Sequence, residues 1–156
     1  MSNKSDILQN IYLFRRMTPS ELEAVTKAAT LQTYGAMGEI FAQQEKATAL
    51  YVIKQGSVRI HQRSSLGDNI EVATLGAGSH FGEMGFVDGE PRSASASAIE
   101  KTEIVVFSYE KLRDMLTEYP TIAVKFYQEL ALFLCGRLRI TTNDLSYARE
   151  KNLSHF

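Results

Sequence analysis

The sequence predicts an α+β domain in which short helices lead into an antiparallel β-roll or small barrel, and a long helix closes the chain. Three observations carry this. Helix-start signals sit only towards the two ends. The middle holds short strand-like runs at even spacing, parted by glycine turns. Apolar residues over the last thirty or so positions recur in alternating steps of four and three, as one helix face does. A chain of 156 residues can bury one good core and is short for two.

The elements follow in order. Helices are expected over about 5–30. Ile7, Leu8, Ile11 and Tyr12 recur at near-helical spacing. Thr18-Pro19-Ser20-Glu21 then opens a second helix, with Thr18 as N-cap, Pro19 at the first helical position and Glu21 closing a capping box. Leu22, Val25, Ala28 and Ala29 give it a buried face. From about 31 to 108 the texture is that of strands. Leu50-Tyr51-Val52-Ile53 meets the turn Lys54-Gln55-Gly56, and Ser57 to Gln62 alternates apolar and polar. Leu66-Gly67-Asp68-Asn69 leads into Ile70 to Leu75, and Gly76-Ala77-Gly78-Ser79 turns the chain again. Ser95 to Ile99 and Glu103 to Ser108 supply two more strands. Helices return over about 109–151: a short one from Tyr109 to Leu116, then a long one opened by Pro120. On the latter, Tyr127, Ala131, Leu134, Leu138, Thr141, Leu145 and Ala148 form a heptad seam suited to a parallel homodimer. Ile122, Phe126, Leu130 and Phe133 form a neighbouring stripe suited to the chain's own roll.

Composition narrows the function classes. Apolar content of 44% and charged content of 22% suit a globular protein, and a net charge of −1 supplies no attraction for nucleic acid. The single cysteine, Cys135, rules out an intrachain disulfide and a cysteine-held cluster; it reads as a helix-packing thiol. The polar start lacks a secretory h-region and no stretch is apolar enough to span a bilayer, so a cytoplasmic protein is expected. His61, His80 and His155 lie scattered without ligand spacing, the first in a strand-like run and the second in a turn. No metal site, cofactor or nucleophile–base set is expected, and no enzyme.

The residues that carry chemistry are Phe81 to Ala98. Gly82 lets backbone approach a ligand, and Glu83 offers a carboxylate that only accepts hydrogen bonds. Met84 to Val87 can make one helical turn with unpaired amides, an anion site. Asp88-Gly89-Glu90-Pro91 reverses the chain. Arg92 then brings a planar fork suited to phosphate, Ser93 adds a hydroxyl, and Ala94 and Ala96 leave room. A carboxylate for a hydroxyl, with amides and a guanidinium for one negative charge, describe a sugar joined to a single phosphate.

Phe81-Gly82-Glu83, Met84-Gly85-Phe86 and Pro91-Arg92-Ser93-Ala94 resemble the phosphate-binding cassette of the cyclic nucleotide-binding domain family, as found in sensor domains of the catabolite-activator type. Leu13-Phe14, Gly38-Glu39-Ile40-Phe41 and Leu50 to Val58 match further segments of that family, and the resemblance covers about Tyr12 to Leu145. One departure stands out: where the family usually has Gln-Gly-Glu, this chain reads Gln43-Gln44-Glu45. The resemblance implies a double-stranded β-helix (jelly-roll) with a C-terminal dimerisation helix. It implies a ligand site of Gly82, Glu83, Met84, Gly85, Arg92, Ser93 and Ala94, with Glu83 on the ribose 2′-hydroxyl and Arg92 on the cyclic phosphate. Arg137 to Thr142 is similar to a family helix segment that ends in adjacent hydroxyls, which implies that Thr141 and Thr142 meet the base.

The expectation is therefore a non-enzymatic receptor for cyclic AMP, less so cyclic GMP, acting as one domain over 1–156. It would signal through its last helix to an effector protein that the sequence does not identify. Family activators carry a helix-turn-helix after this helix, and few residues follow Ala148, so no direct DNA binding and no membrane contact are expected. The alternative is a structural dimerisation module that keeps the fold and binds no nucleotide.

Overall fold

The computed structural model describes residues 8–153. A 3-10 turn at Tyr12–Phe14 precedes α1 (Pro19–Thr26). Eight strands follow: β1 (Ala29–Tyr34), β2 (Glu39–Phe41), β3 (Ala49–Gln55), β4 (Ser57–Arg63), β5 (Asn69–Gly76), β6 (His80–Phe81), β7 (Ser95–Ala98) and β8 (Thr102–Ser108). A short helix, α2 (Met84–Asp88), interrupts the strands between β6 and β7. Two helices close the chain, α3 (Tyr109–Glu118) and α4 (Pro120–Leu153).

The capping box forms as expected. The Glu21 amide donates to Thr18 Oγ1 at 3.2 Å, and the Thr18 amide donates to the Glu21 carboxylate at 2.8 Å. The helix it starts is shorter than its apolar spacing suggested. Ala28 lies in the turn after α1 and Ala29 opens β1, so both are buried but not as part of a helical face. Before α1, the described chain makes a 3-10 turn that buries Leu13 and Phe14. Ile7 and the residues before it lie outside the described residues, as does His155.

The strands form two antiparallel four-stranded sheets, ordered β1-β8-β3-β6 and β2-β7-β4-β5. That is the double-stranded roll. β3 and β4, which look like a hairpin in sequence, belong to different sheets; Gly56 turns the corner between them.

The continuous apolar run of β3 has a direct explanation. In a strand successive side chains point to opposite faces, and β3 is buried on both. Leu50 and Val52 enter one core with α1, α3 and α4, while Ala49, Tyr51 and Ile53 enter a second core between the sheets. β8 does the same, with Val105 and Phe107 on the first side and Ile104 and Val106 on the second. Each fully buried side chain of this size contributes about 1.5–3 kcal/mol.

Helix α4 begins at Pro120 and packs with its predicted inner stripe, Ile122, Phe126 and Leu130. The carboxylate of Glu129, 0% exposed, pairs with Arg15 at 3.3 Å and with Arg16, tying the N-terminal turn to the helix. Lys125 pairs with Glu21 at 2.6 Å. From Cys135 to Glu150 every residue of α4 is exposed, including Leu138, Leu145 and Cys135 itself. The expected packing role of Cys135 is therefore corrected: it lies on the turn where α4 leaves the core. Among the described residues no helix is long and apolar enough to cross a membrane.

Candidate functional site

A cavity of about 280 Å³ opens between the second sheet, the β6–α2–β7 segment and α4. Its apolar wall is built by Ile60, Val72 and Leu75; alternation turns Leu75 inward on β5, while Val72 reaches the same space at the register shift between β4 and β5. Its polar floor is the run Gly82 to Ala94, and Phe133, Leu134 and Arg137 of α4 close it. Gly82, Glu83, Met84, Gly85, Arg92, Ser93 and Ala94 all border this one space.

The local sequence makes this geometry. Gly82 sits at φ +83°, and a Cβ there would stand 3.0 Å from Arg92 Nη1 and 3.1 Å from the Ala49 carbonyl oxygen. Backbone of that hand, passed so closely, needs glycine. Gly85 lies in α2, where a Cβ would come within 2.4 Å of Ala47 Cβ. The five-residue α2 ends where the Gly89 amide donates to the Gly85 carbonyl at 2.9 Å. The Glu90 amide donates to Asp88 Oδ1 at 2.9 Å, which makes the reversal that Asp88-Gly89 signals.

Arg92 returns from this turn and its side chain points inward, 6% exposed. Nη2 donates to the Ala49 carbonyl at 2.8 Å, and Nη1 donates to the Gly82 carbonyl and to the Tyr109 hydroxyl, both at 3.2 Å. The guanidinium carbon lies 4.0 Å from the centroid of Phe41. No carboxylate pairs with it among the described residues, and its buried Nε has no partner among them. This is a fixed cation with donor capacity left over. Tyr109 in turn donates to the Gly82 carbonyl, and burial raises the pKa of its phenol despite the adjacent guanidinium.

The family's glycine in the neighbouring turn is replaced by Gln44, which takes φ +74°. The turn is held to the cassette by paired main-chain bonds of 2.8 Å, from the Gln44 amide to the Arg92 carbonyl and from the Arg92 amide to the Glu45 carbonyl. The glycine-like backbone is kept without the glycine, because these bonds over-determine it.

Glu83 is buried at 6% exposed, with Oε1 3.1 Å from His80 Nδ1. The expectation that His80 lies in a turn is corrected. It lies in β6, itself 6% exposed, with its ring centroid 4.2 Å from that of Phe133. Met84 and Ser93 are exposed, the Ser93 hydroxyl standing 3.9 Å from the Met84 sulfur. Gln62 donates to the Ser93 carbonyl at 2.8 Å and lines the cavity, although the sequence offered no reason to single it out.

Thr141 and Thr142 are not brought to this cavity within the chain. Both are exposed, and the Thr141 hydroxyl donates to the Arg137 carbonyl at 2.9 Å, the back-bond open to any helical threonine. Arg137, one turn earlier, is the residue of that motif that reaches the cavity. His61 contacts Asn69 and Ser97 at 3.0 and 3.1 Å. No three His, Cys, Asp or Glu side chains gather as a metal-binding group among the described residues.

Residues 31–119 match the cyclic nucleotide-binding domain family. A CRP-like cAMP-activated global transcriptional regulator of Mycobacterium tuberculosis is 30% identical over 141 residues, 90% of this chain and 61% of the relative. The cyclic AMP receptor protein of Thermus thermophilus is 33% identical over 143 residues, 90% of this chain and 64% of the relative. The crystal structure of the Thermus thermophilus catabolite activator protein superposes with a TM-score of 0.78 at 32% identity, covering 86% of this chain and 62% of that one. The chain thus spans under two thirds of the length of these relatives.

Proposed function

This chain belongs to the cyclic nucleotide-binding domain family, and from that premise we propose that it is a non-enzymatic receptor for cyclic AMP, with cyclic GMP as the alternative ligand. The observation that carries the reading is Arg92. A buried guanidinium whose Nε has no partner among the described residues, bordering the same cavity as a buried carboxylate two residues past the end of β6, suits a cyclic phosphate joined to a ribose. In this reading Arg92 and the amides near Gly82, Glu83 and Ala94 hold the phosphate, and Glu83 accepts from the 2′-hydroxyl. Ser93 and Met84 flank the ring, and Gly85 lets α2 seat closely. The cyclic AMP named for the mycobacterial and Thermus relatives supports the choice of nucleotide.

The cavity is walled by the cassette on one side and by Phe133, Leu134 and Arg137 on the other. A ligand that touches both favours one placement of α4, and only such differential contact can shift a conformational equilibrium. The helices, the roll and α4 act as one unit in this reading. The exposed seam residues Tyr127, Leu138 and Leu145 support a parallel homodimer through α4. In such a dimer Thr141 and Thr142 of a second copy are the groups offered to the base. Output passes to an effector protein.

A second reading has one observation in its favour. Arg92 and Glu83 are already occupied, by carbonyls, a phenol and His80. A dimerisation module that binds no nucleotide would look no different at these two residues. Calorimetric titration with cyclic AMP and cyclic GMP separates the two. Saturable binding with cyclic AMP the tighter supports the receptor, whereas no heat and no thermal stabilisation with either nucleotide leaves only the module.

A further inference from the structure

Resting on the receptor reading, we propose that His80 is the positioning residue for Glu83, and so sets how strongly the site distinguishes a ribose from a 2′-deoxyribose. β6 has two residues, paired as Tyr51↔Phe81 and Val52↔His80 with β3. Strand alternation sends Phe81 into the inter-sheet core with Phe41 and Tyr51. His80 is left on the opposite face, against Phe133 of α4 and the Glu83 carboxylate.

The chemistry of the contact is determined by the partner. Nδ1 stands 3.1 Å from Glu83 Oε1, within ion-pair range, and neither buried ring nitrogen has an aligned hydrogen-bond partner among the described residues. A carboxylate only accepts, so the proposed bond forms with the proton on Nδ1 after a small turn of the ring. No lysine or arginine lies within ion-pair range of Glu83 among the described residues. Arg92 directs its donors to Ala49, Gly82 and Tyr109, and the other charged groups bordering the cavity are Asp88, Glu90 and Arg137. The imidazole therefore orients the carboxylate. Holding Oε1 leaves Oε2 as the acceptor for a ligand hydroxyl. Phe133 keeps the imidazole in place, its ring tilted 55° at 4.2 Å.

The test compares cyclic AMP with 2′-deoxy cyclic AMP by calorimetry on the full chain, as wild type, His80→Leu and His80→Asn. Wild type should prefer the ribose form by about tenfold, the value of one charge-assisted hydrogen bond. His80→Leu should bring the two ligands within about twofold, mostly by weakening cyclic AMP. His80→Asn, which returns an N–H close to the Nδ1 position, should restore most of the preference. Should His80→Leu not fold, His80→Phe, which can still pack on Phe133 but has no donor, makes the same comparison. A donorless variant that keeps the wild-type ratio, or weakens both ligands equally, overturns the assignment. So does an Asn variant that restores nothing. Loss of the His80 effect with wild-type cyclic AMP binding intact sinks this inference alone; wild type that binds neither ligand sinks the receptor reading with it.

Discussion

Replacing Arg92 by alanine should weaken cyclic AMP binding by two to four orders of magnitude while leaving the roll folded. A guanidinium has five N–H donors. Three are used within the protein, one on Ala49 and two on Gly82 and Tyr109. The Nε–H and one Nη2–H remain for a ligand. Two charge-assisted bonds at about 1.5–3 kcal/mol each give about 3–6 kcal/mol, and each 1.4 kcal/mol is tenfold in affinity. Folding should suffer less. Truncation deprives the Ala49 carbonyl of its donor, but the Gly82 carbonyl keeps the Tyr109 hydroxyl, and a buried cation without a counter-ion is removed. Calorimetry with cyclic AMP, alongside urea unfolding of each variant, reads both quantities. Arg92→Lys should fall between, because an ammonium keeps the charge and loses the planar fork. Equal affinity in wild type and Arg92→Ala, with both folded, would refute the donor count and the phosphate site with it.

Gly85→Ala should lower both thermal stability and cyclic AMP affinity, with a cost of about 1–3 kcal/mol, because the new methyl meets Ala47 at 2.4 Å; an unchanged melting temperature would show that α2 can back away freely. Gln44→Gly should stabilise the fold by about 0.5 kcal/mol in urea titration, the left-handed strain relieved slightly exceeding the entropy of an added glycine; a loss of stability would mean that the Gln44 side chain earns its place. Lys125 and the Thr18 amide hold the Glu21 carboxyl below its ordinary range. Its contribution of about 1 kcal/mol is therefore complete above the ordinary carboxylate pKa and disappears as pH falls through the lowered native value. Glu21→Gln should flatten the acid side of the stability profile, and a profile of unaltered slope below about pH 4.5 would contradict that pairing.

What could be read from the sequence was local. Thr18 and Glu21 are three residues apart and cap one helix. Gly82, Glu83 and Arg92 lie on one short stretch whose turn residues bring them together, so their shared cavity could be anticipated. What depended on distant contacts was hidden. His80 looks like a turn residue because a two-residue strand has too few positions to show alternation, and only pairing with Val52 buries it. Gln62 and Arg137 become cavity residues through the sheet order and the path of α4, which no spacing reports. The Gly56 corner resembles a hairpin turn in sequence, and the sheets to which its flanking strands belong are chosen by β7 and β8. Thr141 and Thr142 were assigned by motif, and the helix carries them one turn past the space that Arg137 borders.

Helix α4 is anchored over its first half and free over its second. Ile122, Phe126, Glu129 and Leu130 hold it to the core, whereas the sixteen exposed residues from Cys135 to Glu150 extend about 24 Å at 1.5 Å per residue. In the proposed receptor it would serve as a lever, with its fulcrum beside the cavity. A tilt of about 10° there would swing the tip by about 4 Å. The mechanical gain lies in the span of exposed helix, so in the proposed receptor a cut beyond Thr142 should reduce the movement delivered at the tip while leaving in place the hydroxyls offered to the base.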